Sequence, residues 1–205
     1  MQKLLIATTN QGKLKEFKNF LSDIPMELVS LIDLGITQDF EENGKTYEEN
    51  SEGKARFYSN LSGIPSLSDD GGIEIVALNN EPGVRSRRWL GHEATDEELI
   101  NHMIKISKDL PEDNRTAYFR TVISVVFPDR TLLQEQGEVK GIIAKEPFLK
   151  LNKGYPYRSF FYLPEINKYY HESDLSPEQE RLYNHRYKAI QKLRPVLLEK
   201  LNKEK

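Results

Sequence analysis

The chain has 205 residues, enough for one large domain with a proper core, and its 38% hydrophobic and 30% charged residues are those of an ordinary soluble globular protein. A net charge of −3 argues against a non-specific nucleic-acid binder, though not against a small anion held by a local basic cluster. With no cysteine there are no disulfides, no thiol catalysis and no Cys-ligated metal. The N-terminal apolar stretch is too short for a signal sequence, and no run reaches the roughly 18 apolar residues of a membrane span. The expectation is a cytoplasmic protein without membrane or nucleic-acid partners.

In chain order, Leu4–Ala7 reads as a short buried strand that ends in the polar loop Thr8-Thr9-Asn10-Gln11-Gly12. Lys13–Leu21 places Leu14, Phe17 and Leu21 at helical spacing. Met26–Ile32 looks like a second strand. Thr46 with Glu49 three residues later signals a capped helix running to about Leu61 and stopping near Gly63-Ile64-Pro65. "SLSDDGGIEIVAL" has a turn-like centre followed by strand alternation at Ile73, Ile75 and Ala77, and Asn79–Gly83 is another turn. Thr95–Leu110 is helical with Thr95 as cap. Thr116–Phe127 is a strong strand, turned by Asp129-Arg130 into a hairpin partner over Thr131–Lys140. Gly154–Leu163 is aromatic and irregular. Ser176-Pro177-Glu178-Gln179 starts a last helix, which Arg194-Pro195 breaks or kinks before a fraying basic tail. The mixture of strands and helices without strict alternation predicts an α/β protein with a mixed sheet. The expected organisation is one domain over 1–193 and a basic tail over 194–205.

Several short stretches combine residue types that do chemistry. Strand, tight loop and helix over Thr8–Lys13 is a common way to present backbone N–H groups to a phosphate, with Thr8, Thr9 and Asn10 adding side-chain donors and Lys13 a charge. The same stretch also reads as a solvated turn before a surface helix. A cation is mildly unfavourable at a helix N-terminus, so Lys13 asks for an anion nearby. Asp69-Asp70-Gly71-Gly72 suits a hard cation such as Mg²⁺, which takes oxygen ligands, and equally reads as an Asp/Gly turn. Glu41-Glu42-Asn43-Gly44 offers a carboxylate for the same cation or is an acidic loop. Glu49-Asn50 and Lys54 share one helical face. Asn184-His185-Arg186 lies inside the last helix, where a His-Arg pair suits a base or a phosphate or is simply polar surface. Arg85, Arg87 and Arg88 with Trp89 form a further basic cluster.

The order of these blocks carries more than any one of them. "IATTNQGKLKEF" resembles the "ATGNxGKxxE" opening of the inosine triphosphate pyrophosphatase family, and "EENGKTYEENSEGKA" is similar to its "EtGxTfeeNAxxKA". "PSLSDDGGIEIVALNNEPGVRSRRW" resembles "ADDSGLxVdALxGxPGvxSaR", "GYPYRSFF" lies where the family has "GFGYDPiF", and "NHRYKA" where it has "SHRxxA". The likeness runs from residue 2 to about 193. It implies a mixed sheet with flanking helices, two lobes around a central nucleotide cleft, and a homodimer. It also implies Mg²⁺-dependent hydrolysis of dITP, ITP or XTP to the monophosphate and pyrophosphate. By the same likeness Asn10 and Lys13 would hold the triphosphate with Lys54 helping, and Thr8, Thr9 and Gly71 would also bind the substrate. Glu41 and Asp70 would hold Mg²⁺, and Asp70, with Lys13 and Asp69 in support, would orient or deprotonate the attacking water. Tyr157, Arg158, His185 and Arg186 would face the purine.

The chain departs from these patterns at particular places. Thr9 stands for a glycine, Gly71 for a serine, Glu180 for a lysine, and Arg158 for an aspartate, while Pro156 removes a backbone N–H. The phosphate and metal side is retained and the base side is rebuilt. A second function therefore stands beside the first: a catalytically weak member that binds dITP or ITP as a sensor and regulates an effector protein partner, for example in anti-phage defence.

Overall fold

The computed structural model describes residues 2–150 and 154–203. Its strands and helices are β1 (Lys3–Ile6), α1 (Gln11–Phe20), β2 (Glu27–Ser30), α2 (Tyr47–Ser62), β3 (Ser66–Ile75), β4 (Glu81–Pro82) and α3 (Asp96–Asp109). They continue as β5 (Thr116–Val126), β6 (Leu132–Ile143), β7 (Phe161–Leu163), β8 (Lys168–Tyr169), α4 (Pro177–Tyr183) and α5 (His185–Lys203). The sheet order is β2-β1-β3-β5-β6-β7-β8, with β4 added to β3. β1 pairs in parallel with β2 and β3, whereas the β3–β4, β6–β7 and β7–β8 pairs are antiparallel. The mixed α/β sheet expected from the sequence is thus present.

The chain divides into two compact units. The first comprises Met1–Asp70, Thr121–Gly137 and Arg186–Lys205. Its main core packs Leu4, Ile6, Phe17, Phe20, Leu67 and Ile123 with Ile190, Leu193, Leu197 and Leu201 of α5, and a second cluster joins Leu5, Ala7, Val29 and Tyr58. The second unit comprises Gly71–Arg120 and Glu138–His185, and packs Ile73, Ile75, Leu99, Met103, Phe119, Phe160 and Phe161. Arg115 is buried there and donates to the carbonyls of Ser107, Leu110 and Ile143, closing the C-terminal end of α3.

Three expectations are corrected. β3 runs unbroken through Asp69-Asp70-Gly71-Gly72, so the turn read at its centre is absent. Buried partners engage the two carboxylates, and the glycines serve close approach: a Cβ at Gly72 would lie 2.3 Å from the Gly83 carbonyl oxygen. Next, Asn184 separates α4 from α5, placing His185 and Arg186 at a helix start and not inside one helix. Finally, α5 continues through Pro195 to Lys203, where a break or kink and a fraying tail were expected, so the helix is not broken; residues 204 and 205 lie outside the described ones. An interior proline costs a helix about 3 kcal/mol. Leu193, Leu197 and Leu201 recur every four residues and are all buried, and each such side chain returns roughly 1.5–3 kcal/mol, so the apolar stripe wins.

Candidate functional site

The charged centre lies in the first unit and is built from the starts of α1, α2 and α5 together with β3. Asn10 ends the loop after β1 and caps α1, its Oδ1 accepting from the backbone N–H of Gly12 (2.9 Å) and Lys13 (3.1 Å). That cap fixes where the Lys13 side chain leaves the helix, and its Nζ lies 3.1 Å from Asp69 Oδ2. Arg186, at the start of α5, places its Nε 2.9 Å from the same oxygen and its Nη1 3.3 Å from Oε2 of Glu16. Glu16 lies one turn along α1 from Lys13, so α1 contributes both signs of charge. Two of the nitrogens of Arg186, expected to face a purine, are thus engaged with carboxylates.

Asp69 is fully buried. Burial alone would raise its pKa, but the Lys13, Arg186 and Lys54 charges outweigh that and hold it well below the usual carboxylate range. Its other oxygen, Oδ1, is buried and accepts no hydrogen bond among the described residues. Asp70 is also buried, and its Oδ2 accepts from Asn50 Nδ2 at 2.9 Å. Burial first, and then the nearby Glu42 charge, push its pKa up to about 6. The side chains of Asp69 and Asp70 point to opposite faces of β3, as neighbours on a strand must, which is how adjacent carboxylates come to differ so widely.

Glu42 is the residue that sequence reading missed. Glu41 was expected to hold the metal, but it is exposed, whereas Glu42 pairs with Lys54 of α2 and its charge acts on Asp70. The signal was present: aligning "EtGxTfeeN" on Gly44, Thr46 and Asn50 puts its first glutamate on Glu42. Asn50 was read only as part of a polar helix face. It accepts from the Gly44 N–H (2.7 Å) while donating to Asp70, which ties the acidic loop to β3. A Cβ at Gly44 would approach Asn50 Oδ1 to 2.6 Å, so this clasp needs glycine.

Burial lowers the Lys13 pKa, with Arg186 and Lys54 adding to the effect and Asp69 and Asp70 opposing it. For Lys54 burial also lowers, but the Glu42 and Asp69 charges prevail and its pKa is raised. The formal charges of Lys13, Lys54, Arg186, Glu16, Glu42, Asp69 and Asp70 leave one surplus negative charge. The surplus falls where Glu42 and Asp70 repel each other, a place that a cation would relieve. Among the described residues no three acidic or histidine side chains converge on one point, so a cation here would take its remaining ligands from water and substrate oxygens, as Mg²⁺ commonly does. Thr8 is half-buried and Thr9 exposed; both line a cavity of about 390 Å³ with Gln11, Ser30–Ile32 and Ile36–Asp39.

The remaining expected residues belong to the second unit. Gly71 is half-buried at the middle of β3. The Tyr157 hydroxyl donates to the Ser86 carbonyl, and burial pushes its pKa up. Arg158 is buried, with its guanidinium carbon 3.8 Å from the Tyr155 ring centroid and 4.7 Å from that of Tyr170. The Tyr170 hydroxyl meets His185 Nδ1 at 3.1 Å, and the His185 ring stacks on Phe119. The site residues thus sort into a charged set, Asn10, Lys13, Lys54, Asp69, Asp70 and Arg186, and an aromatic set, Tyr157, Arg158 and His185.

Comparison with known proteins identifies the family. The profile of the Ham1 family matches residues 4–196. A dITP/XTP pyrophosphatase of Thermoanaerobacter pseudethanolicus is 38% identical over 202 residues, covering 98% of this chain and all of the relative. One from Shigella flexneri is 34% identical over 199 residues, covering 96% of this chain and 98% of the relative. Among solved structures, a HAM1 protein from Coxiella burnetii superposes with a TM-score of 0.82 at 32% identity over 97% of this chain and all of that one. The Ham1 protein of Staphylococcus aureus does so with 0.77 at 32% identity over the whole of both. By sequence along nearly its full length and by fold, the chain belongs to the Ham1 family.

Proposed function

We propose that this chain hydrolyses a non-canonical purine nucleoside triphosphate, of the dITP, ITP or XTP kind, to the monophosphate and pyrophosphate with the help of Mg²⁺. The observation that carries the reading is the pair of half-buried lysines, Lys13 and Lys54, set against Asp69, Asp70 and Glu42 within one unit. The names of the relatives, dITP/XTP pyrophosphatase, support the substrate class.

Lys13 and Lys54 bind the triphosphate. Burial lowers the Lys13 pKa, so an incoming polyanion stabilises its ammonium form. The cation at the start of α1 faces Asp69 at 3.1 Å, and a substrate phosphate is the second anion it would meet. Arg186, itself paired with Glu16, holds Asp69 in place. Asp70, with a pKa of about 6, sits in the range suited to a general base near neutral pH and orients the attacking water. The mutual repulsion of Glu42 and Asp70, together with the open acceptor Oδ1 of Asp69, fits a divalent cation held by Glu42 and Asp70. Bound there, Mg²⁺ supplies Lewis-acid polarisation of the phosphoryl oxygens and a lowered water pKa.

The test is pyrophosphate release with Mg²⁺ on dITP, ITP, XTP, dGTP and dATP, beside direct binding of each, with Asp70→Asn as control. Release on dITP, ITP or XTP that is lost in the variant is the expected result. Tight binding without release overturns it and makes the chain a nucleotide sensor with a protein partner to be sought. No helix among the described residues is long and apolar enough to cross a membrane.

A further inference from the structure

We propose that Asn50 is a positioning residue for the divalent cation: its amide holds the loop of Glu42 against Asp70, and so sets the affinity for the cation without setting that for the nucleotide. This rests on the cation reading above and deepens it. Asn50 lies in the first turn of α2 and is only 1% exposed. Its Oδ1 accepts from the Gly44 N–H at 2.7 Å, and its Nδ2 donates to Asp70 Oδ2 at 2.9 Å. A backbone N–H can only donate, so the amide oxygen must face Gly44 and the amide nitrogen must face Asp70. One side chain thus reaches the acidic loop with one end and β3 with the other.

Every second residue of the loop before α2 is held on that helix. The Tyr58 hydroxyl donates to the Gln38 carbonyl, Phe40 packs on Gly53 and Phe57, Glu42 pairs with Lys54, and Gly44 donates to Asn50. Asp39, Glu41 and Asn43, which fall between them, are exposed. Glu42 therefore sits midway between two uncharged anchors. A Cβ at Gly53 would come within 2.8 Å of Phe40 Cζ, and one at Gly44 within 2.6 Å of Asn50 Oδ1, so both anchors are close-fitting. Lys54 alone would leave Glu42 loosely aimed, because an ammonium is a point charge on a flexible stem.

The clasp is needed because the groups it brings together repel. The Glu42 charge is felt at Asp70, and without a cation that repulsion pushes the loop away from β3. A neutral amide opposes the repulsion without neutralising either carboxylate, so the negative charge that attracts a cation is kept. The ordering of the two carboxylates is then already in place before the cation arrives and does not have to be supplied by its binding. Lys13, by contrast, is aimed by the Asn10 cap of α1, which the Asn50 amide does not touch.

The experiment measures Mn²⁺ binding, from the paramagnetic resonance signal of the free ion, with an α,β-methylene analogue of dITP present. It compares the wild type with Asn50→Ser, Gly44→Ala and the double variant. Binding of the same analogue in chelator-treated buffer, and the Mg²⁺ concentration for half-maximal pyrophosphate release, are measured beside it. The Gly44 backbone lies outside the left-handed region, so Gly44→Ala tests the contact with Asn50 and not the turn. Each single variant is expected to weaken Mn²⁺ binding and raise the Mg²⁺ midpoint by about tenfold or more, as loss of a group that orients a metal ligand does, with metal-free analogue binding within about twofold of wild type. Both substitutions cut one clasp, so the double variant should bind Mn²⁺ no worse than the weaker single variant. Thr46→Ala removes the cap of α2 and leaves the clasp alone; it should lower the thermal midpoint and keep the wild-type Mn²⁺ affinity. Wild-type Mn²⁺ affinity in Gly44→Ala overturns the proposal, even if Asn50→Ser fails to fold. So does an equal loss in Thr46→Ala, which would reduce Asn50 to general support of the helix. A wild type that binds no Mn²⁺ overturns the cation reading and the proposal with it. A wild type that binds Mn²⁺ and releases no pyrophosphate fails the enzymatic reading alone, and the binding comparison still decides the role of Asn50.

Discussion

Two neighbouring glutamates in the loop before α2 differ in consequence. Glu42 faces Lys54 and acts on Asp70, while Glu41 faces solvent. Glu42→Gln is therefore expected to lower pyrophosphate release by about a hundredfold or more, as loss of a metal-holding group does. Glu41→Gln should remain within about twofold of wild type, and a titration of rate against Mg²⁺ for the two variants decides between them. At Asp70 the demands of activity and stability diverge. Its ionised carboxyl is buried beside a like charge, which is unfavourable in the folded state. Asp70→Asn should abolish turnover yet raise the thermal midpoint of the metal-free protein at pH 7.5 by several degrees, the trade expected of a destabilised active site. Scanning calorimetry in chelator-treated buffer checks it, and a lower midpoint would show that Asp70 is instead held by favourable contacts. Residue types and spacing marked Lys13, Asp69 and Asp70 as candidates but equally allowed a solvated turn and an Asp/Gly turn, and the order of the blocks chose between the readings. The Arg186–Asp69 pair joins positions 117 apart, and no local pattern encodes such a separation.

Caps and stripes govern the elements, and here the sequence was read well where the rule is local. Thr95 and Ser176 cap their helices as read, each within a full box, whereas of the box read at Thr46 with Glu49 only the Thr46 half forms, Glu49 accepting from the Lys45 N–H instead. The errors lie where tertiary burial overrode a local signal. The Asp-Asp-Gly-Gly centre of β3 carries turn residues, yet buried partners keep it extended. Pro195 is a helix breaker, yet α5 passes through it because Leu193, Leu197 and Leu201 are buried. That contest leaves a measurable residue of strain. Pro195 is exposed, so replacing it removes no core contact. Pro195→Ala restores a helix donor and should stabilise the chain by about 1–3 kcal/mol, the interior-proline cost less the entropy the freer unfolded chain regains. Urea unfolding with an unchanged m-value measures it. No gain would mean that the helix already bends there without penalty.

At the scale of the whole molecule, proton uptake on unfolding joins groups from both units. Asp69 has a folded pKa below its unfolded one, so its contribution is present above the ordinary carboxylate range and is lost as pH falls through it. His171 and His102 are lowered as well, chiefly by burial, but for a base the sign of the charge is reversed. The unfolded chain takes up a proton at each below about pH 6.5, where the folded chain does not, so both destabilise the fold as the solution becomes mildly acidic. Geometry gives this term its cause at His171, whose Nδ1 accepts the Ser173 N–H at 3.0 Å, a bond that a doubly protonated ring cannot accept. The Phe148 ring lies 4.7 Å away, so the site offers little solvation to a charge. His171→Asn keeps an acceptor near the position of Nδ1 and cannot take up a proton. The difference in thermal midpoint between the wild type and this variant should therefore shift against the wild type between about pH 7.5 and about pH 5.5. Asp70, raised to about 6, acts with the opposite sign in the same window; it is common to both proteins and drops out of the difference. A difference that stays constant with pH would mean that His171 gains its proton as readily folded as unfolded. In that case the mildly acidic sensitivity of the molecule would rest on His102, with Asp69 adding its own below about pH 4.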